Sequence, residues 1–277
     1  MRSKLCATFL SAIAMITCRS FASAATPAIV ERADIPYAAD VPNGKHRLDV
    51  FTPSGARNAP VLIFIYGGDW HVHDRKDFSF LGRSLAAEGF VIVLPSYRSW
   101  PSANGSQMAD DVARAAAWTV HHAREYGGNP NSVILSGHSS GAHLAALIAL
   151  DSQYLARYAI PTSAIHGVIA ISGVEDLRAL SDAVIPGAFG HTPDQRWNFS
   201  PLKYVHRGAP PFALACAQGD APVFFVQGLY FLVALRAAGG SAEFFTAPGN
   251  HGTEIAAAAL PSNPLHRRIV QFVRMHQ

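Results

Sequence analysis

Charge is scarce in this sequence: Asp, Glu, Lys and Arg make up 15% of 277 residues, against 49% hydrophobic residues. A chain with so little charge and so much apolar surface does not stay an open coil, which excludes disorder and points to a large buried core. No linker rich in Pro and Ser, no block of like charge, no repeat and no low-complexity tract divides it, so one large domain fits. No apolar stretch reaches the roughly 20 residues of a membrane span, so stable membrane insertion is not expected. Cysteine is scarcest of all, at three residues: Cys6, Cys18 and Cys216.

The first residues have their own character. Arg2 and Lys4 precede the apolar run from Leu5 to Cys18, which is broken by Ser11 and Thr17, and Ala22-Ser23-Ala24 follows. This is the pattern of a secretory signal with a small-residue cleavage site. Residues 1–24 are therefore expected to be a signal peptide and 25–277 the folded domain, periplasmic or secreted. Arg2, Lys4 and Arg19 would leave with no acid beside them, which uses up the formal net charge of +3. A near-neutral mature chain has no basic surplus for nucleic acid or an anionic membrane. Cys6 and Cys18 would leave too, so Cys216 has no disulfide partner. Its apolar setting, Phe212 to Cys216, reads as a core strand and not as a reactive thiol.

From residue 47 onward, strand and helix patterns alternate, which predicts an α/β fold with a mostly parallel sheet and helices on both faces. Strands are expected at Arg47 to Phe51, Pro60 to Tyr66, Phe90 to Leu94, Ser132 to Ser136, Ile165 to Ser172, Pro211 to Ala217 and Ala242 to Thr246. Helices are expected at Asp77 to Glu88, Gln107 to Tyr126, Ser140 to Leu150, Val226 to Ala238 and from Asn263. The stretch 173–207, with Pro186, Gly187, Gly190, Pro193 and Pro201, is too long for an ordinary connection and reads as a small cap.

Gly137-His138-Ser139-Ser140-Gly141 matches G-x-S-x-G, with Val133-Ile134-Leu135 leading in and Ala142 to Leu150 leading out. That setting of strand, sharp turn and buried helix lifts a serine hydroxyl out of the sheet as a nucleophile. A serine hydroxyl needs a base, and the base needs an orienting acid. His251 follows the strand Ala242 to Thr246 in the loop Pro248-Gly249-Asn250-His251-Gly252, where the base belongs. Asp220, in Gln218-Gly219-Asp220-Ala221-Pro222, is the acid that precedes it, although Gly219-Asp220-Ala221-Pro222 also suits an ordinary turn. His266 and His276 fall in the terminal helix and read as surface residues. The oxyanion of acyl transfer needs backbone donors. Gly67 and Gly68, at the end of an early buried strand, and Ser140 are in place to supply them.

The motifs Gly67-Gly68-x-Trp70 with Asp74-Arg75-Lys76, Ser96-Tyr97-Arg98, Asp110-Asp111 with Trp118, Gly127-Gly128-Asn129-Pro130, and Gly137 to Gly141 with His143-Leu144 resemble the esterase/lipase branch of α/β hydrolases. That branch includes kynurenine formamidase-like and hormone-sensitive-lipase-like enzymes, and the resemblance covers nearly all of the mature chain. It implies Ser139, Asp220 and His251 as the triad, Gly67, Gly68 and Ser140 around the oxyanion, and cleavage of small carboxylic esters without a cofactor. Tyr66 stands where the family has His, and Ser99-Trp100 departs from its usual bridge. Trp70 and Trp100 are expected to line the substrate pocket. Arg98 is expected to pair with Asp110 or Asp111. His71-Val72-His73-Asp74 lacks partners at ligand spacing, so no metal is expected. An arylformamidase or other amide hydrolase, and an inactive exported binding module, are the alternatives.

Overall fold

The computed structural model describes residues 27–39, 41, 44–181, 185 and 187–277. The expected signal peptide, 1–24, lies outside the described residues. Eight strands form one sheet: β1 (Ile29–Pro36), β2 (Arg47–Pro53), β3 (Ala59–Ile65), β4 (Val91–Pro95), β5 (Gly128–His138), β6 (Ile165–Ile171), β7 (Phe212–Ala217) and β8 (Ala242–Ala247). They lie in the order β1-β2-β4-β3-β5-β6-β7-β8. β2 pairs antiparallel with both β1 and β4, and every later neighbour in that order is parallel.

The helices are α1 (Ser79–Ala86), α2 (Gly105–His122), α3 (Ser140–Leu150), α4 (Ser152–Ala156), α5 (Pro193–Trp197), α6 (Pro222–Ala237), α7 (Thr253–Ala257) and α8 (Pro264–Met275). All eleven residues of α3 are buried, which is why the helix is apolar on every side. α2 starts on a reciprocal cap in which Asn104 and Gln107 each accept the other's backbone N–H. Among the described residues, no helix is long and apolar enough to cross a membrane.

In the fold, the structure differs from the sequence expectations at β1, at α6 and at His266. β1 was not expected: it carries Glu31, Arg32 and Asp34, is mostly exposed, and owes its place to pairing with β2 at the sheet edge. α6 starts at Pro222, four residues before the apolar pattern suggests, because proline at the first helical position needs no N–H partner. His266 is buried and not on the surface. It sits on the inner face of α8, bonded through Nδ1 to the Ala258 carbonyl at 2.8 Å and through Nε2 to Glu88 at 3.3 Å.

Among its described residues, the stretch 173–207 holds α5 and three short 3-10 turns and packs on α3 through Phe189 and Phe199. Ser139, Asp220 and His251 all follow the carboxyl ends of parallel strands, the rim at which open α/β sheets carry their sites.

Candidate active site

β5 ends at His138 and α3 begins at Ser140, leaving Ser139 alone in the turn at φ 54°, ψ −123°. A residue with a Cβ holds such a conformation at a cost of about 1–3 kcal/mol, and only where its surroundings enforce it. The enforcement comes from close packing: a Cβ at Gly141 would run into the carbonyl oxygens of Ile65 and Tyr66. The Ser139 N–H also donates to the Ile171 carbonyl at 2.8 Å, which ties the turn to β6.

His251 Nε2 lies 2.9 Å from Ser139 Oγ, and His251 Nδ1 lies 2.9 Å from Asp220 Oδ2. With Asp220 ionised, Nδ1–H donates to the carboxylate and Nε2 is left to accept from the serine hydroxyl. Asp220 is held in turn by the Ala221 N–H, which donates to its Oδ1 at 2.7 Å. Its side chain is only 1% exposed, against 33% for His251. The two loops are laced together, with the Gly219 N–H donating to Gly249 and the Gln218 N–H to Ala247. Phe224 stacks on the His251 ring at 4.3 Å, and the His138 ring lies 4.8 Å away.

Gly67 abuts Ser139: a Cβ there would come within 2.7 Å of the His138 carbonyl and 3.0 Å of the Ser139 Cβ. Backbone at Gly67 therefore faces the serine, and Gly68 lines the same pocket. Ser140 is the first residue of α3, so its N–H has no intrahelical acceptor and carries the positive end of the helix dipole. Asp69 and Trp70 follow at φ 53° and 58°, and for a residue as bulky as Trp this is a marked outlier.

That backbone sends Trp70 inward, which corrects the expectation that it lines the pocket. The indole is 2% exposed, meets Phe189 edge to face, and donates from Nε1 to His143 Nδ1 at 3.1 Å. Burial pushes the His143 pKa down to about 4, so the ring is neutral, and its Nε2–H donates to the Phe199 carbonyl at 2.7 Å. His143 thus joins the loop after β3 to the 173–207 stretch. Trp100 is also absent from the lining beside Ser139. It is half-buried, packs near Gly187, and donates its N–H to the Trp70 carbonyl. The pocket that opens at Ser139 and His251 measures about 440 Å³ and is walled by Gly67, Gly68, Asp69, His73, Phe78 and Phe80.

Tyr66 stacks on Tyr97 with ring centroids 4.7 Å apart, and each phenol donates to the other's carbonyl. This pair braces the loop after β3 against the end of β4. Burial raises both phenol pKa values, so neither ionises near neutrality. Arg98 grips Asp111 with two bonds of 2.7 and 2.8 Å. Cys216 is buried in β7, and burial pushes its thiol up to about 12, which leaves it inert.

Residues 48–235 match the BD-FAE family. The chain belongs to that family. BD-FAE proteins are α/β-hydrolase esterases, and the curated relatives agree. The chain is 29% identical to esterase LipQ of Mycobacterium tuberculosis over 88% of its own length and 62% of the relative's. It is 31% identical to esterase LipC of the same organism, over 78% and 61%. It thus spans about three-fifths of both. Kynurenine formamidase of Danio rerio is 28% identical over 74% of this chain and 71% of the relative. Among solved structures, a truncated carbohydrate esterase from gut microbiota superposes with a TM-score of 0.77 at 21% identity, covering 91% of this chain and 97% of that one. Esterase B of Lactobacillus rhamnosis gives 0.74, at 21% identity and over 89% and 88%. At such identity these structures establish the fold.

Sequence reasoning missed His143, Phe224 and Glu254 in this BD-FAE chain. A lone histidine in an otherwise apolar helix was the available signal for His143. Glu254 follows His251 and so falls outside the chain order of serine, acid and histidine, yet it is fully buried and bonds His138 Nε2 at 3.2 Å. Asp69 is exposed on the wall of the pocket that holds Ser139, where its charge would oppose negative charge developing on a bound substrate. Asp69→Asn is therefore expected to raise kcat/KM about three-fold at low ionic strength, with the gain shrinking as salt is added. Steady-state kinetics at two salt concentrations check this, and an unchanged kcat/KM at both would contradict it.

Proposed function

We propose that the chain is a serine hydrolase that cleaves small carboxylic esters through an acyl-enzyme. The observation that carries this reading is the unbroken chain of contacts from Asp220 Oδ2 through His251 to Ser139 Oγ, each link 2.9 Å. His251 takes the serine proton as Oγ attacks the ester carbonyl, and Asp220 holds the ring in the tautomer this requires. The oxyanion forms against the N–H groups of Gly67, Gly68 and Ser140, each donor contributing about 3 kcal/mol. Water then attacks the acyl-enzyme with His251 again as base. This chemistry calls on neither metal nor cofactor. The partly exposed His251 and the pocket of about 440 Å³ suit a small acyl group reached from solvent. Export in a signal-bearing precursor belongs to the same proposal, and N-terminal sequencing of the secreted form tests it.

The likeness to a kynurenine formamidase favours a second reading, amide hydrolysis at an N-formyl group, which the same triad performs. Purified protein assayed on p-nitrophenyl acetate, butyrate and octanoate beside N-formylkynurenine separates the two. The ester reading expects acetate and butyrate to exceed both octanoate and the formamide by at least about ten-fold in kcat/KM. Faster turnover of N-formylkynurenine would replace it with the formamidase reading. No turnover of any of them would leave the third reading, an inactive binding module.

A further inference from the structure

We propose that His138, His251 and Glu254 form a binding site for a transition-metal ion of the zinc class, and that its occupancy shuts the hydrolase off. One ligand atom from each of the three lies within 4.8 Å of the others, and two imidazoles with one carboxylate are a donor set suited to zinc. His251 and Glu254 are three residues apart, so the loop and first turn of α7 present both to the same side. His138 comes from the end of β5 and lines the pocket beside His251, so an ion arriving through the pocket reaches both rings.

Glu254 is the independent sign that something is missing here. It is 0% exposed, Oε1 is held by His138 Nε2 at 3.2 Å, and Oε2 has no hydrogen-bond partner. A buried carboxylate oxygen without a donor costs about 1–3 kcal/mol or more, and a cation would satisfy it. One proton lies between Oε1 and Nε2, since both atoms otherwise only accept; when the metal takes its place, neutral His138 carries that proton on Nδ1 and Nε2 is free to ligate. Tetrahedral zinc at about 2.0 Å from each ligand sets the ligand atoms about 3.3 Å apart, so a cluster already within 4.8 Å closes by about 1.5 Å at most.

The outer shell is already built. His251 Nδ1 is bonded to Asp220, the arrangement of carboxylate behind histidine that orients metal-ligating imidazoles and raises their basicity. The feature that makes His251 a base makes it a ligand as well. Its Nε2 lone pair cannot serve both, so a bound ion removes the acceptor of the Ser139 proton. The inhibition half of this proposal rests on the proposed function; the binding half does not.

The experiment uses full-length mature protein with zinc and cobalt salts as probes. Zinc in the micromolar range is expected to inhibit ester hydrolysis, with EDTA restoring it. Cobalt is expected to give visible absorption bands with the Ser139→Ala protein, which needs no activity. His138→Asn and Glu254→Gln are each expected to weaken cobalt binding about 10- to 100-fold, while His73→Ala, on the pocket wall but outside the cluster, leaves it unchanged. If Glu254→Gln does not fold, the His138→Asn result decides. Cobalt bands that depend on His138, in a protein that hydrolyses no ester, would uphold the site and sink the proposed function. Ester hydrolysis with no cobalt bands, or binding unaffected by His138→Asn, would overturn the inference and spare the function.

Discussion

Replacing His251 by Ala is expected to lower kcat/KM on p-nitrophenyl acetate by about 10⁴-fold or more, equivalent to about 5.5 kcal/mol of transition-state stabilisation. The residual rate comes from the oxyanion donors and pocket binding, which the substitution leaves in place. His251 lies in a loop with a third of its side chain exposed, so the unfolding midpoint should barely move. A loss of activity is then a loss of chemistry. Asp220→Asn should approach the same loss by another route, because an amide at 2.9 Å from Nδ1 donates its own N–H and favours the opposite tautomer. The double variant Ser139→Ala/His251→Ala should be no worse than either single one, since the two act as a unit. A His251→Ala protein retaining more than a tenth of the wild-type rate would exclude it as the base.

Glu175→Gln is expected to stabilise the fold by up to about 5 kcal/mol at pH 9 and by little at pH 4.5. Glu175 follows β6, is 2% exposed, and its Oε2 has no hydrogen-bond partner. Burial pushes its pKa from 4.5 to about 8. The folded chain therefore holds this proton more tightly than the unfolded chain does. Between about pH 4.5 and pH 8 the native state binds more protons, so stability falls as the pH rises across that window and levels off above it. The interval of about 3.5 in pKa, at 1.36 kcal/mol each, sets the limit of about 5 kcal/mol. Glutamine keeps the shape and carries no charge to desolvate, so its advantage grows with pH. Urea unfolding of both proteins at pH 5, 7 and 9 measures it, and a pH-independent difference would show that Glu175 keeps an ordinary pKa.

Much of the fold was legible because its signals are local. Continuous apolar runs such as Val61 to Ile65 mark strands buried on both faces, and Gly or Pro ends most of them. Helix α3 lay where the sequence put it, Ser140 to Leu150, because an apolar run after the G-x-S-x-G turn leaves no other choice. β1 was illegible because its alternation carries charge on an exposed edge and only pairing with β2 makes it a strand. In the site, chain order and loop chemistry singled out Ser139, Asp220 and His251, and the structure places them in contact. Trp70 was misread because sequence gives no hint of a positive φ at a tryptophan, nor of His143 waiting 73 residues later as acceptor. Glu254 falls after His251, outside the order of serine, acid and histidine, and its partner His138 is 116 residues away, so only the fold brings them together.

The proposed mechanism acylates Ser139 at Oγ. Mass spectrometry of the protein after reaction with a fluorophosphonate tests it most directly. One adduct per chain, on the peptide containing Ser139 and lost in Ser139→Ala, is the predicted result. A folded wild-type protein that takes no adduct, or takes it on another residue, would contradict the account.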